Sequence, residues 1–142
     1  MTMESPFGIG QSANRFMRRI QSGMHAKVRT LGENVAKDIG PHGGFILNTL
    51  AEGEPMPVQE LVRIMARDKS QMTRKIKDLE AKSLIVRTQC PTDGRVSLLS
   101  LSDEGRDIQK KLQRALTSVI EEILSPLSEE EQSQLAQLLQ KI

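Results

Sequence analysis

Apolar residues recur at steps of three and four along most of the chain, and the runs are broken at glycine and proline. Ala13, Met17, Ile20, Met24, Val28, Leu31 and Val35 keep this period and predict a long helix over residues 11–38, after a short N-terminal arm. Gly23 and Gly32 each weaken such a helix by about 1 kcal/mol relative to Ala, so it needs packing to persist. Gly40 followed by Pro41 is expected to stop it. A second helix over 42–52 is built on Phe45, Ile46, Leu47 and Leu50, and EPMP then reads as a turn or a short extended piece. Residues 58–66 form a third helix with Leu61, Ile64 and Met65 inward, and the Ala66–Lys69 turn separates it from the next helix.

The stretch from Asp68 to Gly105 is the most informative. Met72, Ile76 and Leu79 fall at i, i+4 and i+7, so one face of the helix packs inward while Ser70, Gln71, Thr73, Arg74 and Lys77 face solvent. Those side chains suit base edges and phosphates, and an α-helix fits the major groove of B-form DNA. Two helices joined by so short a turn suit a helix-turn-helix. LIVRTQC is extended, PTDGR turns and VSLLSL returns, which makes a β-wing. The Asp93-Gly94 pair predicts a tight turn with positive φ, and Arg95 is pushed to the wing's edge. Ser102 N-caps a long helix striped by Ile108, Leu112, Leu116, Val119 and Ile123. Pro126 breaks that helix, Ser128 caps again, and a last helix carries Leu135, Leu138, Leu139 and Ile142.

Charge sharpens the picture. Net charge over the 142 residues is only +2, yet residues 58–95 carry nine Lys and Arg against five Asp and Glu, and residues 96–142 five against eight. The segment with the helix and the wing is the basic one, as phosphate contact requires. The apolar stripes at both termini exceed what one small domain can cover, which implies a two-fold partner. The expected organisation is therefore a dimerisation helix over 1–40, a winged helix-turn-helix over 41–101 and dimerisation helices over 102–142. The fold class is mainly α with a small β-wing.

With these elements placed, the chain resembles the MarR (multiple antibiotic resistance regulator) family of winged-helix transcriptional regulators. The resemblance rests on Ser70, Thr73, Arg74, Leu79 and Glu80, on Leu84, Ile85 and Arg87, on Pro91, Asp93 and Arg95, and on Leu101, Ser102 and Gly105. It implies a homodimer, a reading helix in the major groove, a wing arginine in the minor groove, and control by small anions or by oxidation. It also implies that Asp93 holds the wing in shape. Two positions depart from the family pattern. Ser83 stands where a helix-ending Gly is usual, so a non-glycine residue is expected in the left-handed conformation, and Ser102 replaces the usual Thr cap.

Other chemistry is thin. Cys90 is the single cysteine, which leaves no internal disulfide and no thiolate cluster. It could sense oxidants if Arg87 or Arg95 lowered its pKa, although most lone cysteines act as small hydrophobes. His25 and His42 have no partner at metal-ligand spacing, so no metal or cofactor is expected. No phosphate-cradling glycine loop, Gly-x-Ser-x-Gly elbow or HExxH pair is present, and no enzyme is expected. No apolar run approaches a membrane span and no signal peptide is evident, so the expected location is the cytoplasm. The reading is a sequence-specific double-stranded DNA-binding regulator, a ligand-responsive repressor on a pseudo-palindromic operator. The alternatives are a winged-helix module that binds protein, or a regulator controlled by oxidation of Cys90.

Overall fold

A computed structural model describes residues 5–66 and 68–142. The first four residues of the expected N-terminal arm, and Arg67 of the interhelical turn, lie outside the described residues. In chain order the elements are α1 (Pro6–Thr30), α2 (Glu33–Gly53), β1 (Met56–Pro57), α3 (Val58–Met65), α4 (Lys69–Ala81), β2 (Ile85–Gln89), β3 (Ser97–Leu101), α5 (Asp103–Leu124) and α6 (Glu129–Gln140). No helix among the described residues is long and apolar enough to cross a membrane.

The chain forms two compact units. One comprises Val28–Gln113 and the other Met1–Lys27 with Arg114–Ile142. In the 28–113 unit, Ile46, Leu47 and Leu50 of α2 are fully buried, as are Leu61 of α3, the Met72–Ile76–Leu79 stripe of α4 and Leu99 of β3. Three strands pair antiparallel in the order β1-β3-β2, with Met56 opposite Leu99 and Ile85 opposite Leu101. The EPMP segment thus resolves as an edge strand. Glu54, just before that strand, ties it to the end of β3 and the start of α5. Its carboxylate accepts the Leu101 amide at 2.7 Å and pairs with the Arg106 guanidinium. In the other unit Gly23 of α1 packs directly on Val119 of α5, and the Lys27 ammonium donates to the Ser118 hydroxyl at 3.0 Å.

Several expectations are corrected. The first helix begins at Pro6 and ends at Thr30 rather than running over 11–38, because Gly32 takes φ +116°, which no continuing helix admits. Gly40 kinks α2 instead of terminating a helix, with φ +62° and ψ −178° inside it. Phe45 is 56% exposed and Ile64 45% exposed, so neither is an inward residue. Phe45 and Ile46 are adjacent and project in directions about 100° apart on a helix, and Ile46 takes the core. Leu138, Leu139 and Ile142 of the C-terminal stripe are exposed in the single chain, in keeping with apolar surface in excess of what the chain itself covers.

Candidate nucleic-acid interface

Helix α4 starts at a side-chain cap. The Asp68 carboxylate accepts the amides of Ser70 at 2.8 Å and Gln71 at 3.1 Å, two of the donors that a helix start leaves unpaired. It ends in a Schellman motif, with the Ser83 amide on the Glu80 carbonyl and the Leu84 amide on the Leu79 carbonyl, both at 2.9 Å. Ser83 occupies the left-handed position of that motif at φ +61°, without the glycine that usually takes it. Between these ends the buried stripe fixes the helix's rotation. Ser70, Gln71, Arg74 and Lys77 are then exposed, and Thr73 is half-buried with its hydroxyl on the Lys69 carbonyl at 2.8 Å.

The wing is the β2–β3 hairpin. Its tip is not the positive-φ Asp-Gly turn expected from the sequence, since Gly94 keeps an ordinary negative-side backbone. Instead the Asp93 carbonyl accepts the Val96 amide at 3.0 Å, and the Asp93 carboxylate accepts the Arg95 amide at 3.1 Å. The short Asp side chain replaces a backbone bond and holds Arg95 exposed at the third position of the turn. The hairpin closes just below, where the Cys90 amide donates to the Val96 carbonyl at 2.9 Å.

Ion pairs order the surroundings. Asp78 lies 3.0 Å from Lys82 and 3.4 Å from Lys75, and those lysines, Lys82 first, hold its carboxyl below the usual range. Arg87 of β2 grips Glu80 of α4 with both its ε nitrogen, at 3.1 Å, and a terminal nitrogen, at 2.7 Å. That hydrogen bonding raises the Arg87 pKa further. The Cys90 thiol is held below its ordinary range, but not by arginine. The Thr92 hydroxyl, 3.3 Å away, is the main cause, and the Thr92 and Asp93 backbone amides add to it. Arg87 is committed to Glu80 and Arg95 takes no part, which corrects the arginine-based expectation.

His42, Gln71, Arg74, Lys75 and Asp78 line a shallow depression of about 440 Å³ beside α4, and the buried His42 Nδ1 has no hydrogen-bond partner among the described residues. His25 is exposed on α1. No group of three His, Cys, Asp or Glu among the described residues could hold a metal ion.

Comparison with known proteins gives this arrangement its family. The sequence profile of the MarR family matches residues 44–97, which run from within α2 to the start of β3. The chain is 35% identical over 98 residues to the HTH-type transcriptional regulator YxaD of Bacillus subtilis, covering 69% of this chain and 68% of that protein. It is a MarR-family protein. A second relative, the HTH-type transcriptional repressor MdtR of Bacillus subtilis, is 29% identical over 137 residues, 93% of this chain and 88% of the relative. The crystal structure of YusO from Bacillus subtilis superposes with a TM-score of 0.66 at 30% identity, covering 94% and 90% of the two chains. MarR-family proteins are transcriptional regulators rather than enzymes, and this chain presents the family's DNA-binding winged helix in α3, α4 and the β2–β3 hairpin.

Sequence reasoning missed several parts of this MarR-family interface. The Asp68 cap had a signal, since an Asp directly before the periodic run is a common helix start. The Glu80–Arg87 and Glu54–Arg106 pairs had none, because each joins residues on different elements.

Proposed function

We propose that this regulator is a repressor that binds a pseudo-palindromic operator in double-stranded DNA as a homodimer in the cytoplasm, and that a small-molecule effector releases it. Ser70, Gln71, Thr73, Arg74 and Lys77 read the major groove, Arg95 enters the adjoining minor groove, and Asp93 holds the wing tip. The observation that carries this reading is the row of exposed polar and cationic side chains on α4, set opposite a fully buried apolar stripe. That row holds no aromatic or large aliphatic side chain, so it suits bases and phosphates better than a protein partner.

Dimerisation is supported by the terminal helices. Neither α1 nor α6 buries a single residue within the chain, and Phe7, Met17, Leu138 and Leu139 are exposed on them. Uncovered apolar surface of this kind is the usual substrate of a two-fold interface. Two reading helices one DNA turn apart then match a two-fold operator. Repression draws support from the name of the relative MdtR, and effector release from family membership.

The test is selection of bound genomic fragments followed by titration of the recovered duplex at several salt concentrations. The expected result is an inverted repeat occupied by two chains, with affinity falling steeply as salt rises. Equal affinity for the selected duplex and for bulk DNA would refute sequence-specific regulation.

A further inference from the structure

The Glu80–Arg87 pair ties α4 directly to the wing, and its place on the helix matters. Thr73, Lys77 and Glu80 fall at i, i+4 and i+7, so Glu80 closes the same helical stripe that begins with proposed DNA-reading residues. Arg87 lies on β2, opposite Leu99 of β3, in the hairpin whose tip carries Arg95. The planar guanidinium bonds Glu80 through two nitrogens, at 3.1 Å and 2.7 Å to Oε1, and its ε nitrogen also reaches Oε2 at 3.3 Å. Such a fork fixes direction as well as distance, which a single ammonium contact cannot do. Both side chains are partly sheltered, with Arg87 36% and Glu80 25% exposed.

We infer that Glu80 and Arg87 are positioning residues: their clamp sets the angle between the reading helix and the wing, and so places Arg95 in the groove next to the one α4 reads. The inference rests on the DNA-reading roles of α4 and Arg95 proposed above. The clamp has a second consequence for charge. Glu80 would otherwise leave an uncompensated carboxylate on the stripe that faces phosphates, and Arg87 neutralises it in place. Arg87 is consequently not itself a phosphate contact. The β2–β3 ladder bonds run within the hairpin, and the Leu84 amide on the Leu79 carbonyl joins α4 only to the base of β2, so the Glu80–Arg87 clamp adds a side-chain tie two residues further along the wing.

Glu80→Gln and Arg87→Met each remove the charged fork while keeping side-chain volume. Binding is measured on two duplexes that share the selected operator core but carry A·T-rich or G·C-rich flanks, and the ratio of the two dissociation constants is the readout. Arg95→Ala should lower that ratio. Glu80→Gln and Arg87→Met should lower it by a similar factor, and neither should lower it further when added to Arg95→Ala. Arg87→Lys should recover only part of it. A purely structural role would weaken both duplexes alike and leave the ratio untouched, which would overturn the inference. Tighter binding by Glu80→Gln would also overturn it, since that is the mark of an Arg87 freed to meet phosphate. In parallel, spin labels at Gln71→Cys and Gly94→Cys, in a Cys90→Ser background, report the helix-to-wing distance without DNA. The clamp predicts a broader distance distribution in either variant. If Arg95→Ala leaves the flank ratio unchanged, the minor-groove role of Arg95 fails and the distance distribution alone decides; an unchanged width would then sink the clamp.

Discussion

The Ser102 hydroxyl donates to the Ser83 carbonyl at 2.6 Å while accepting the Gly105 amide at 2.9 Å. One side chain thereby caps the start of α5 and anchors the left-handed residue just past the end of α4. The family pattern places glycine at position 83, and the φ of +61° shows the steric reason. Ser83→Gly relieves a left-handed Cβ and keeps the carbonyl that Ser102 uses. It should stabilise the fold by about 0.5–1 kcal/mol once glycine's extra unfolded-state freedom is offset. A urea midpoint that falls in this variant would contradict that account.

Gly105 should tolerate no such exchange. A Cβ there would run into the Leu84 backbone carbonyl, which already accepts the Ser102 amide at 3.1 Å. Backbone cannot swing aside as a flexible side chain can, so Gly105→Ala should cost about 1–3 kcal/mol. Equilibrium unfolding of the two proteins side by side measures this, and equal stability would mean that α5 shifts at no cost.

Arg74 and Arg95 should fail differently on DNA. Arg74→Ala is expected to cost about 1–3 kcal/mol and to relax preference at one base position per half-site. Arg95→Ala should weaken binding to many sequences, most where the flanking minor groove is narrow. Both variants should remain folded, because both side chains are exposed. Wild-type operator binding by both would move the reading face elsewhere.

The apolar surface of α6 gives a direct handle on assembly. Leu138 and Leu139 are more than half exposed in the single chain. Replacing both with Asp should shift the sedimenting mass at micromolar concentration from two chains to one, or to aggregate. A persistent two-chain mass would locate the interface outside α6.

Reactivity of Cys90 should extend to lower pH than that of an unperturbed thiol, since the Thr92 hydroxyl and nearby amides favour the thiolate. Below the lowered pKa the thiol is protonated and slow; above it, alkylation by a maleimide reaches its plateau. Thr92→Val should move the midpoint of that profile upward. A midpoint indifferent to the substitution would show that the hydroxyl does not stabilise the thiolate in solution.

Much of α4 was legible in the sequence because its three inward residues are isolated among polar neighbours, so their period admits one rotation of the helix. Phe45 was not, since it sits in a short apolar run in which the pattern does not say which residue turns outward. The glycines show another limit. Gly32 reads only as a weak point inside a helix and Gly40 as its end, whereas the backbone ends the helix near Gly32 and merely kinks the next one at Gly40. Likewise Asp93-Gly94 is compatible with a positive-φ turn or with an Asp side chain bonding its own backbone, and the structure takes the second. In the sequence Arg87 reads as a family-pattern residue and a cation near Cys90; its actual partner, Glu80, lies across the helix end, beyond the reach of any spacing rule.

The carboxylate at the start of α4 bears on how this helix can meet DNA. Helix starts commonly grip phosphate through bare amides, yet here Asp68 already occupies the amides of Ser70 and Gln71. It is a resident surrogate for the anion, setting a charged oxygen where a phosphate oxygen would otherwise sit. A backbone phosphate approaching that helix start end-on would meet a like charge, so under the proposed reading the contacts of α4 with DNA fall to its side chains rather than to its first amides.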